Sequence, residues 1–241
     1  MMMMVKKSAP ALLVLLVLLV LPLALQVSGW RWSPASLGGD GPYWFVITQS
    51  VSQPWGILSA ALLGGVVVRL LALRGRAALR LFLLLMLCVG SAQQGVNAGI
   101  KRWIQAPRPY VLSLTAAAGV APADFYARSA AARHDWVRRH VASQPAWLGD
   151  HWARETGFAF PSGHGLFVAT WVALAAIVLP RRRYAVMVPL LAWAAAVMYS
   201  RFALGMHWPR DLLAAVLLGW LWALPFGWYI HRRGLSGGQI G

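Results

Sequence analysis

The hydrophobic positions of this 241-residue chain gather into six long runs, separated by short stretches rich in Arg, Gly and Pro. A run of roughly 20 apolar residues can cross the hydrocarbon core of a bilayer as an α-helix. The pattern predicts an all-α, polytopic membrane bundle of six transmembrane helices, at residues 9–25, 54–73, 81–100, 162–179, 184–199 and 212–230. We expect residues 1–241 to form a single membrane-embedded domain.

The first run has a second interpretation, because Lys6 and Lys7 precede it as they would precede a cleaved signal peptide. A signal peptide usually has an apolar core of ~7–15 residues, followed by an A-x-A-like cleavage site. The run at 9–25 is longer, and no such site follows it. We therefore expect a retained first helix whose N-terminus is cytoplasmic.

Positive charges mark the ends of the apolar runs. Arginine clusters lie at 74–80, 181–183 and 232–233. Loops rich in Lys and Arg stay in the cytoplasm, so six spans with both chain termini in the cytoplasm accommodate all three clusters. The remaining large loop, 105–157, then lies on the periplasmic side. Its hydropathy is low and it holds four of the six acidic residues, which predicts short helices packed over the mouth of the bundle.

The composition supports a membrane protein and excludes several other classes. Hydrophobic residues make up 59% of the chain and charged residues only 12%, against ~25% charged in soluble domains. The net charge of +16 could indicate nucleic-acid binding, but the cations lie at the ends of apolar runs instead. The single cysteine, Cys88, excludes an internal disulfide, and no Cys/His spacing indicates zinc.

One polar stretch between two apolar runs contains His207, Pro209 and Asp211. Proline suits the first position of a helix, so Asp211 would fall in the first turn, within reach of the imidazole of His207. A hydrogen bond between them would select one tautomer and make the other ring nitrogen a better nucleophile. Alternatively, Asp211 merely complements the helix dipole and His207 is an interfacial residue.

The predicted topology brings polar residues from four span ends to one face of the membrane. They are Lys101, Arg108, Ser162, Gly163, His164, Arg201 and His207. Lys101 stands out because the chain has only three lysines. Snorkelling at helix ends could account for Lys101 or Arg201 alone, and Ser162 could be a simple N-cap. Together, however, guanidiniums, an ammonium and a helix N-terminus suit a phosphate group, and two histidines could act as nucleophile and acid.

The spacing of these residues resembles a known signature. Lys101 with Arg108-Pro109, Pro161 to His164, and Ser200-Arg201 with His207 and Asp211 are similar to the three motifs of the type 2 phosphatidic acid phosphatases. That resemblance implies that His207 accepts the phosphoryl group, Asp211 orients it and His164 protonates the leaving oxygen. It assigns phosphate binding to Lys101, Arg108, Ser162, Gly163 and Arg201. It implies no metal and no other cofactor.

The resemblance further implies an enzyme of the bacterial inner membrane, with its site on the periplasmic side and lipid phosphates as substrates. These would include phosphatidylglycerol phosphate, phosphatidic acid, diacylglycerol pyrophosphate and undecaprenyl pyrophosphate. A dedicated undecaprenyl pyrophosphate phosphatase is the main alternative, and a non-catalytic protein that binds or transports anionic lipid is a weaker one. The vanadium haloperoxidases share the motif pattern, but they are soluble, and six spans argue against their chemistry.

Overall fold

The computed structural model describes residues 2–141 and 144–236. Within these ranges the chain is helical and has no β-strand. Short 3₁₀ turns lie at Pro34–Ser36 and Arg181–Val186, and a π-helical turn at Ala92–Asn97. The α-helices are α1 (Met2–Val27), α2 (Gly41–Gln49), α3 (Trp55–Leu70), α4 (Gly75–Ser91), α5 (Ala98–Ile104), α6 (Pro109–Ala117), α7 (Pro122–Tyr126), α8 (Ala130–His140), α9 (Ala146–Arg154), α10 (Gly163–Val178), α11 (Met187–Ala203) and α12 (Pro209–Arg232).

Each of the six apolar runs corresponds to helical structure. In the described part of the chain, three segments are long and apolar enough to cross a membrane: Gly75–Ala117, Arg181–Ala203 and Pro209–Arg232. Leu12–Val27, Trp55–Leu70 and Gly163–Val178 are shorter apolar helices. The prediction of an all-helical protein is therefore confirmed for the described residues, and three of its segments have the length and apolar character of membrane spans.

Helix α10 forms the centre of the bundle, since every residue from Gly165 to Ala176 is buried. It packs against α1, α4, α11 and α12. Its closest neighbour, α12, presents glycines to it: a Cβ atom on Gly219 would lie 3.0 Å from the backbone nitrogen of Thr170, and one on Gly227 would lie 2.4 Å from Ile177 Cγ2. Small residues allow two membrane helices to approach this closely. The approach brings the first turns of α10 and α12 side by side.

Helices α6 to α9 form a cap over one end of the bundle, as the low hydropathy of residues 105–157 predicted. The cap has its own apolar core, in which Tyr110, Phe125, Leu148 and Trp152 are almost completely buried. The rings of Tyr110 and Trp152 are stacked with their centroids 4.9 Å apart. The cap is therefore a packed layer that covers the helix ends beneath it.

The segment between α1 and α2 ties the cap to the loop between α11 and α12. Trp32 is buried in the core of the cap, and its indole N–H donates to Ala203 O over 3.1 Å. Gly205 has a φ of +66°, and a Cβ atom there would lie 2.5 Å from the Trp32 ring. Only glycine satisfies both conditions. The Trp152 indole N–H donates to Leu204 O in the same loop.

Among the helix boundaries that differ from the prediction, two lie close to the polar residues singled out in the sequence. The predicted third span is not one α-helix, because the π-helical turn at Ala92–Asn97 separates α4 from α5. The side chain of Asn97, which the sequence placed on one face with Gln93 and Lys101, lies outside the described residues. The predicted fifth span ended at Tyr199, whereas α11 continues to Ala203. Arg201 therefore belongs to the last turn of a helix and is fully buried.

Candidate active site

The loop between α11 and α12 holds His207 in place through its backbone. The carbonyl oxygen of Arg201 accepts hydrogen bonds from the amides of Met206 and His207, at 2.9 and 3.2 Å. Helix α12 begins at Pro209, so the predicted helix entry is confirmed. His207 is 1% exposed.

Asp211, in the first turn of α12, fixes the imidazole of His207. Its Oδ2 lies 3.3 Å from His207 Nδ1 and accepts the Trp208 backbone N–H over 2.9 Å. On the other side of the ring, Arg108 Nη1 lies 3.3 Å from His207 Nε2. A guanidinium can only donate, so Nε2 accepts and the ring proton resides on Nδ1. The nitrogen that faces Arg108 therefore carries the lone pair.

The environment keeps the His207 ring neutral. Burial, reinforced by the positive charges of Arg108, Arg201 and Lys101, holds the pKa of His207 well below its usual 6.5. A histidine acts as a nucleophile only when one nitrogen is unprotonated. The depressed pKa thus leaves one ring nitrogen of His207 unprotonated throughout the neutral pH range, and that nitrogen is protonated only as the pH falls through the low value.

Arg108 is the N-cap residue of α6 and joins the cap to the site. Its side chain is 5% exposed, and its Nε donates to Gly157 O over 2.8 Å. Its Nη1 lies 3.2 Å from Met206 O and 3.5 Å from a carboxylate oxygen of Glu155. The backbone N–H of Arg108 donates to the hydroxyl of Tyr126. These contacts aim the guanidinium at His207.

The start of α10 forms the next wall of the site. Ser162 is the N-cap of this helix, because its hydroxyl accepts the Gly165 backbone N–H. Its own backbone N–H donates to Asp211 O over 3.1 Å, which couples the entries of α10 and α12. The carbonyl of Gly163 accepts a hydrogen bond from Gln93 over 2.9 Å, so Gln93 is part of an interhelical seam. His164 follows in the first turn, with its Nε2 3.1 Å from the hydroxyl oxygen of Ser52.

Arg201 approaches from the end of α11 and is fully buried. Its Nη2 donates to Glu155 over 2.8 Å and its Nη1 donates to the hydroxyl of Thr48 over 2.6 Å. Lys101, in the last turn of α5, donates to Phe158 O over 2.8 Å. The candidates predicted from the sequence thus lie at the C-terminal ends of α5 and α11 and at the N-terminal ends of α6, α10 and α12, beneath the cap.

This set of motifs matches a family model described as the PAP2 superfamily, over residues 78–235. The chain belongs to the PAP2 superfamily. All eight candidate residues, from Lys101 to Asp211, lie inside the matched region.

Similarity to individual proteins extends beyond that region. The chain is 41% identical over 219 residues to "Phosphatidylglycerophosphatase B" of Escherichia coli (strain K12), which covers 89% of this chain and 86% of that relative. It is 30% identical to the protein of the same name from Haemophilus influenzae, over 86% of this chain and 89% of the relative. A shorter match, 35% identical over 66 residues, joins 27% of this chain to 31% of an "Undecaprenyl-diphosphatase" of Sulfolobus acidocaldarius.

Four residues of the site were not among the sequence-derived candidates. Thr48 at the end of α2 and Ser52 just after it contact Arg201 and His164. Glu155 bridges Arg201 and Arg108, and its Oε1 lies 3.9 Å from His151 Nε2. The charge pattern offered one signal for Glu155, since acids are scarce and this one lies close to the 161–164 motif. Thr48, Ser52 and His151 gave no local signal.

The charges of Glu155 and His151 follow from their surroundings. Burial opposes ionisation of Glu155, but Arg201, His164 and Arg108 outweigh it and hold its pKa well below 4.5. Burial lowers the pKa of His151 to about 4, against the opposing effect of Glu155. At neutral pH the site therefore contains an ionised Glu155 and a neutral His151. No group of three or more His, Cys, Asp or Glu side chains among the described residues could hold a metal ion.

Proposed function

We propose that this protein is an integral-membrane lipid phosphatase that removes the terminal phosphate of phosphatidylglycerol phosphate and related lipids. The observation that carries the proposal is the position of the His207 ring between Asp211 and Arg108. Asp211 accepts the hydrogen bond from Nδ1 of His207, and the lone pair on Nε2 faces a guanidinium that can bind phosphate oxygens. Membership of the PAP2 superfamily and similarity to proteins named phosphatidylglycerophosphatase B support the same activity.

The reaction would proceed in two steps through a phosphohistidine. In the first, Nε2 of His207 forms a bond to phosphorus while the bond from phosphorus to the leaving oxygen breaks, and His164 gives that oxygen a proton. In the second, water attacks the phosphohistidine, His164 takes a proton from the water, and the N–P bond breaks to release phosphate. Asp211 stabilises the positive charge that develops on the ring during attack.

The phosphate would be held by the groups that surround His207. Arg108 and Arg201 supply guanidiniums, Lys101 supplies an ammonium, Ser162 supplies its hydroxyl, and Gly163 at the start of α10 supplies its backbone N–H. Such donors are aimed at the negative charge that grows in the transition state. Three of these donors are charged, and two of the three, Arg108 and Arg201, are buried, where electrostatic stabilisation is strongest. No metal ion is needed in this scheme.

Lipid phosphates should be far better substrates than soluble phosphate esters. The phosphate-holding groups lie at the ends of apolar helices, so a lipid can present its phosphate while its chains stay in the bilayer. Each methylene kept out of water contributes ~0.8 kcal/mol to partitioning. We expect kcat/KM for phosphatidylglycerol phosphate to exceed that for glycerol 3-phosphate by orders of magnitude in the same detergent, with EDTA present.

A preference for glycerol 3-phosphate, or a strict requirement for a divalent ion, would contradict this proposal. Adding undecaprenyl pyrophosphate to the same assay distinguishes this proposal from the main alternative, a dedicated undecaprenyl pyrophosphate phosphatase. The short match to an undecaprenyl-diphosphatase supports that alternative. A dedicated enzyme of that kind would cleave undecaprenyl pyrophosphate and leave phosphatidylglycerol phosphate almost untouched. We expect both lipids to lose their terminal phosphate, because the groups proposed to hold the substrate bind its phosphate and not the rest of the lipid.

We further infer that residues 1–241 form one membrane domain with six spans, both termini in the cytoplasm and the 105–157 cap in the periplasm of a bacterial inner membrane. The arginine clusters at 74–80, 181–183 and 232–233 support this orientation. The position of the cap supports the same orientation, because the cap packs over the helix ends opposite those clusters.

The orientation can be tested by cysteine labelling. Cys88 is fully buried, so Cys88→Ala provides a background without thiols. Ala131→Cys and Ala146→Cys introduce single thiols at exposed positions of the cap. We expect both to react with a membrane-impermeant maleimide added to the periplasmic side of intact cells, whereas Arg182→Cys should react only after lysis. The reverse pattern would place the site in the cytoplasm.

A further inference from the structure

A cavity of about 340 Å³ lies beside the candidate active site but is separate from it. It is formed where the end of α1 meets α6 and the start of α12, and Leu25, Trp30, Arg31, Leu112, Trp208 and Arg210 are among its lining residues. None of the eight residues assigned to phosphate hydrolysis lines it. Trp208 links the two, since it lines the cavity and directly follows His207 in the chain, and its indole N–H donates to Pro107 O over 2.8 Å.

The cavity has two arginines and no acidic side chain in its lining. Arg31 is exposed and makes no hydrogen bond or ion pair with any residue that the structure describes. The side chain of Arg210 is 61% exposed, and its ion pair is a loose one, with Nε 3.9 Å from Asp211 Oδ1. Asp211 directs its other oxygen to His207 and Trp208. Both guanidiniums are therefore available to an anion.

The rest of the lining is mostly apolar and aromatic, since two leucines, two tryptophans and Pro209 contribute to it together with Gln26 and Gly29. The cavity lies at the end of α1, an apolar helix whose Leu16, Val20 and Leu23 are exposed on the surface of the bundle. Tryptophan is enriched where a membrane protein crosses the interface between hydrocarbon and headgroups. A ligand that binds both to the two arginines and to the apolar part of the lining must combine a negative charge with an apolar body.

We propose that this cavity binds an anionic glycerophospholipid of the surrounding bilayer, with its phosphodiester between Arg31 and Arg210. Guanidiniums bind phosphate oxygens in a bidentate manner. A volume of about 340 Å³ lies near the lower end of ligand sites and accommodates the phosphate and glycerol, while the acyl chains extend into the bilayer along α1. The bound lipid would brace the entry of α12, which carries Asp211.

Native mass spectrometry of the full-length protein tests this site. His207→Ala protein, in neutral detergent with excess inorganic phosphate to occupy the phosphate site, would be titrated with phosphatidylglycerol or with phosphatidylcholine of the same chains. We expect a retained 1:1 adduct with phosphatidylglycerol only, and at least a tenfold weaker affinity after Arg31→Gln with Arg210→Gln. Arg102→Gln, which removes an exposed arginine outside the cavity, should leave binding unchanged.

Arg210 adjoins Asp211, so Arg31→Gln alone serves as a second variant, and a several-fold loss of affinity is expected there too. Because binding is measured in protein that cannot turn over, the result is independent of the proposed phosphatase activity. Equal retention of both lipids, or equal losses in Arg102→Gln and Arg31→Gln, would overturn the proposal. Displacement of the lipid by glycerophosphoglycerol, the same headgroup without chains, would also overturn it by indicating a site for a soluble anion.

Discussion

His207→Ala should abolish turnover of phosphatidylglycerol phosphate while leaving the protein folded. His207 is the ring whose lone pair faces the guanidinium of Arg108, and the proposed reaction assigns no second nucleophile. Asp211→Asn should fold as well but lower kcat by about 10⁴-fold, the cost of the equivalent change in a Ser-His-Asp triad, because an amide favours the wrong tautomer of the ring. Initial rates in detergent, with the thermal midpoint measured in parallel, check both expectations.

A chemical trap sharpens this test. After brief exposure to substrate labelled with ³²P on its terminal phosphate and a denaturing quench at alkaline pH, label should remain on the wild-type protein as phosphohistidine and be absent from His207→Ala. His134→Ala, which removes a partly exposed cap histidine, is the matched control and should retain both label and activity. Near-normal turnover by His207→Ala would end the phosphohistidine proposal.

Glu155→Gln should destabilise the protein and strengthen its inhibition by inorganic phosphate. Glu155 is the carboxylate within 2.8 Å of Arg201 and 3.5 Å of Arg108, and Arg201 is fully buried. Removing one partner of a buried ion pair costs about 3 kcal/mol or more because the other charge is left uncompensated. The same carboxylate repels a phosphate that approaches these arginines, so its removal should lower the inhibition constant for phosphate several-fold.

The stabilising effect of Glu155 should depend on pH. The pKa of Glu155 is depressed by its arginine partners, so its contribution is present above the pKa of an unfolded glutamate and is lost as the pH falls through the folded value. The stability difference between wild type and Glu155→Gln should therefore be fully present at neutral pH and shrink in acid. Asp150→Asn, which breaks an exposed pair with Arg138, is the control and should change the thermal midpoint little. Identical midpoints and identical phosphate inhibition for Glu155→Gln would show that the carboxylate does not compensate these arginines.

Much of the geometry of the candidate site follows from local sequence. Pro209 begins α12, and the four-residue spacing from His207 to Asp211 places the carboxylate one helical turn from the ring. Ser162 caps α10 as its position before a glycine and an apolar run predicts. These features depend on residues that are neighbours in the chain, where helix geometry and capping chemistry are nearly independent of the rest of the fold.

The apolar runs likewise indicated the helical bundle, and their flanking charges indicated its orientation. Helix boundaries were less well determined. The apolar pattern of the third span continues across the π-helical turn at Ala92–Asn97, so it gives no sign of that turn. The apolar pattern of the fifth span ends before the helix does, since α11 extends to Ala203. Packing under the cap keeps Arg201 within the helix, because Thr48 and Glu155 accept hydrogen bonds there from its two terminal guanidinium nitrogens.

The polar surroundings of the site were decided by tertiary structure alone. Thr48 and Ser52 look like ordinary residues at the end of a short helix, and His151 like any cap histidine, yet each contacts a residue of the site. The separation along the chain is 153 residues for Thr48 and Arg201 and 112 for Ser52 and His164. No local pattern encodes such pairs, since they form only when α2 and α9 pack against the ends of α10 and α11. The sequence by itself determined which groups could perform the chemistry, because spacing along a helix is a local property. Their charge balance was decided by the fold, because burial and ion pairing depend on which segments meet.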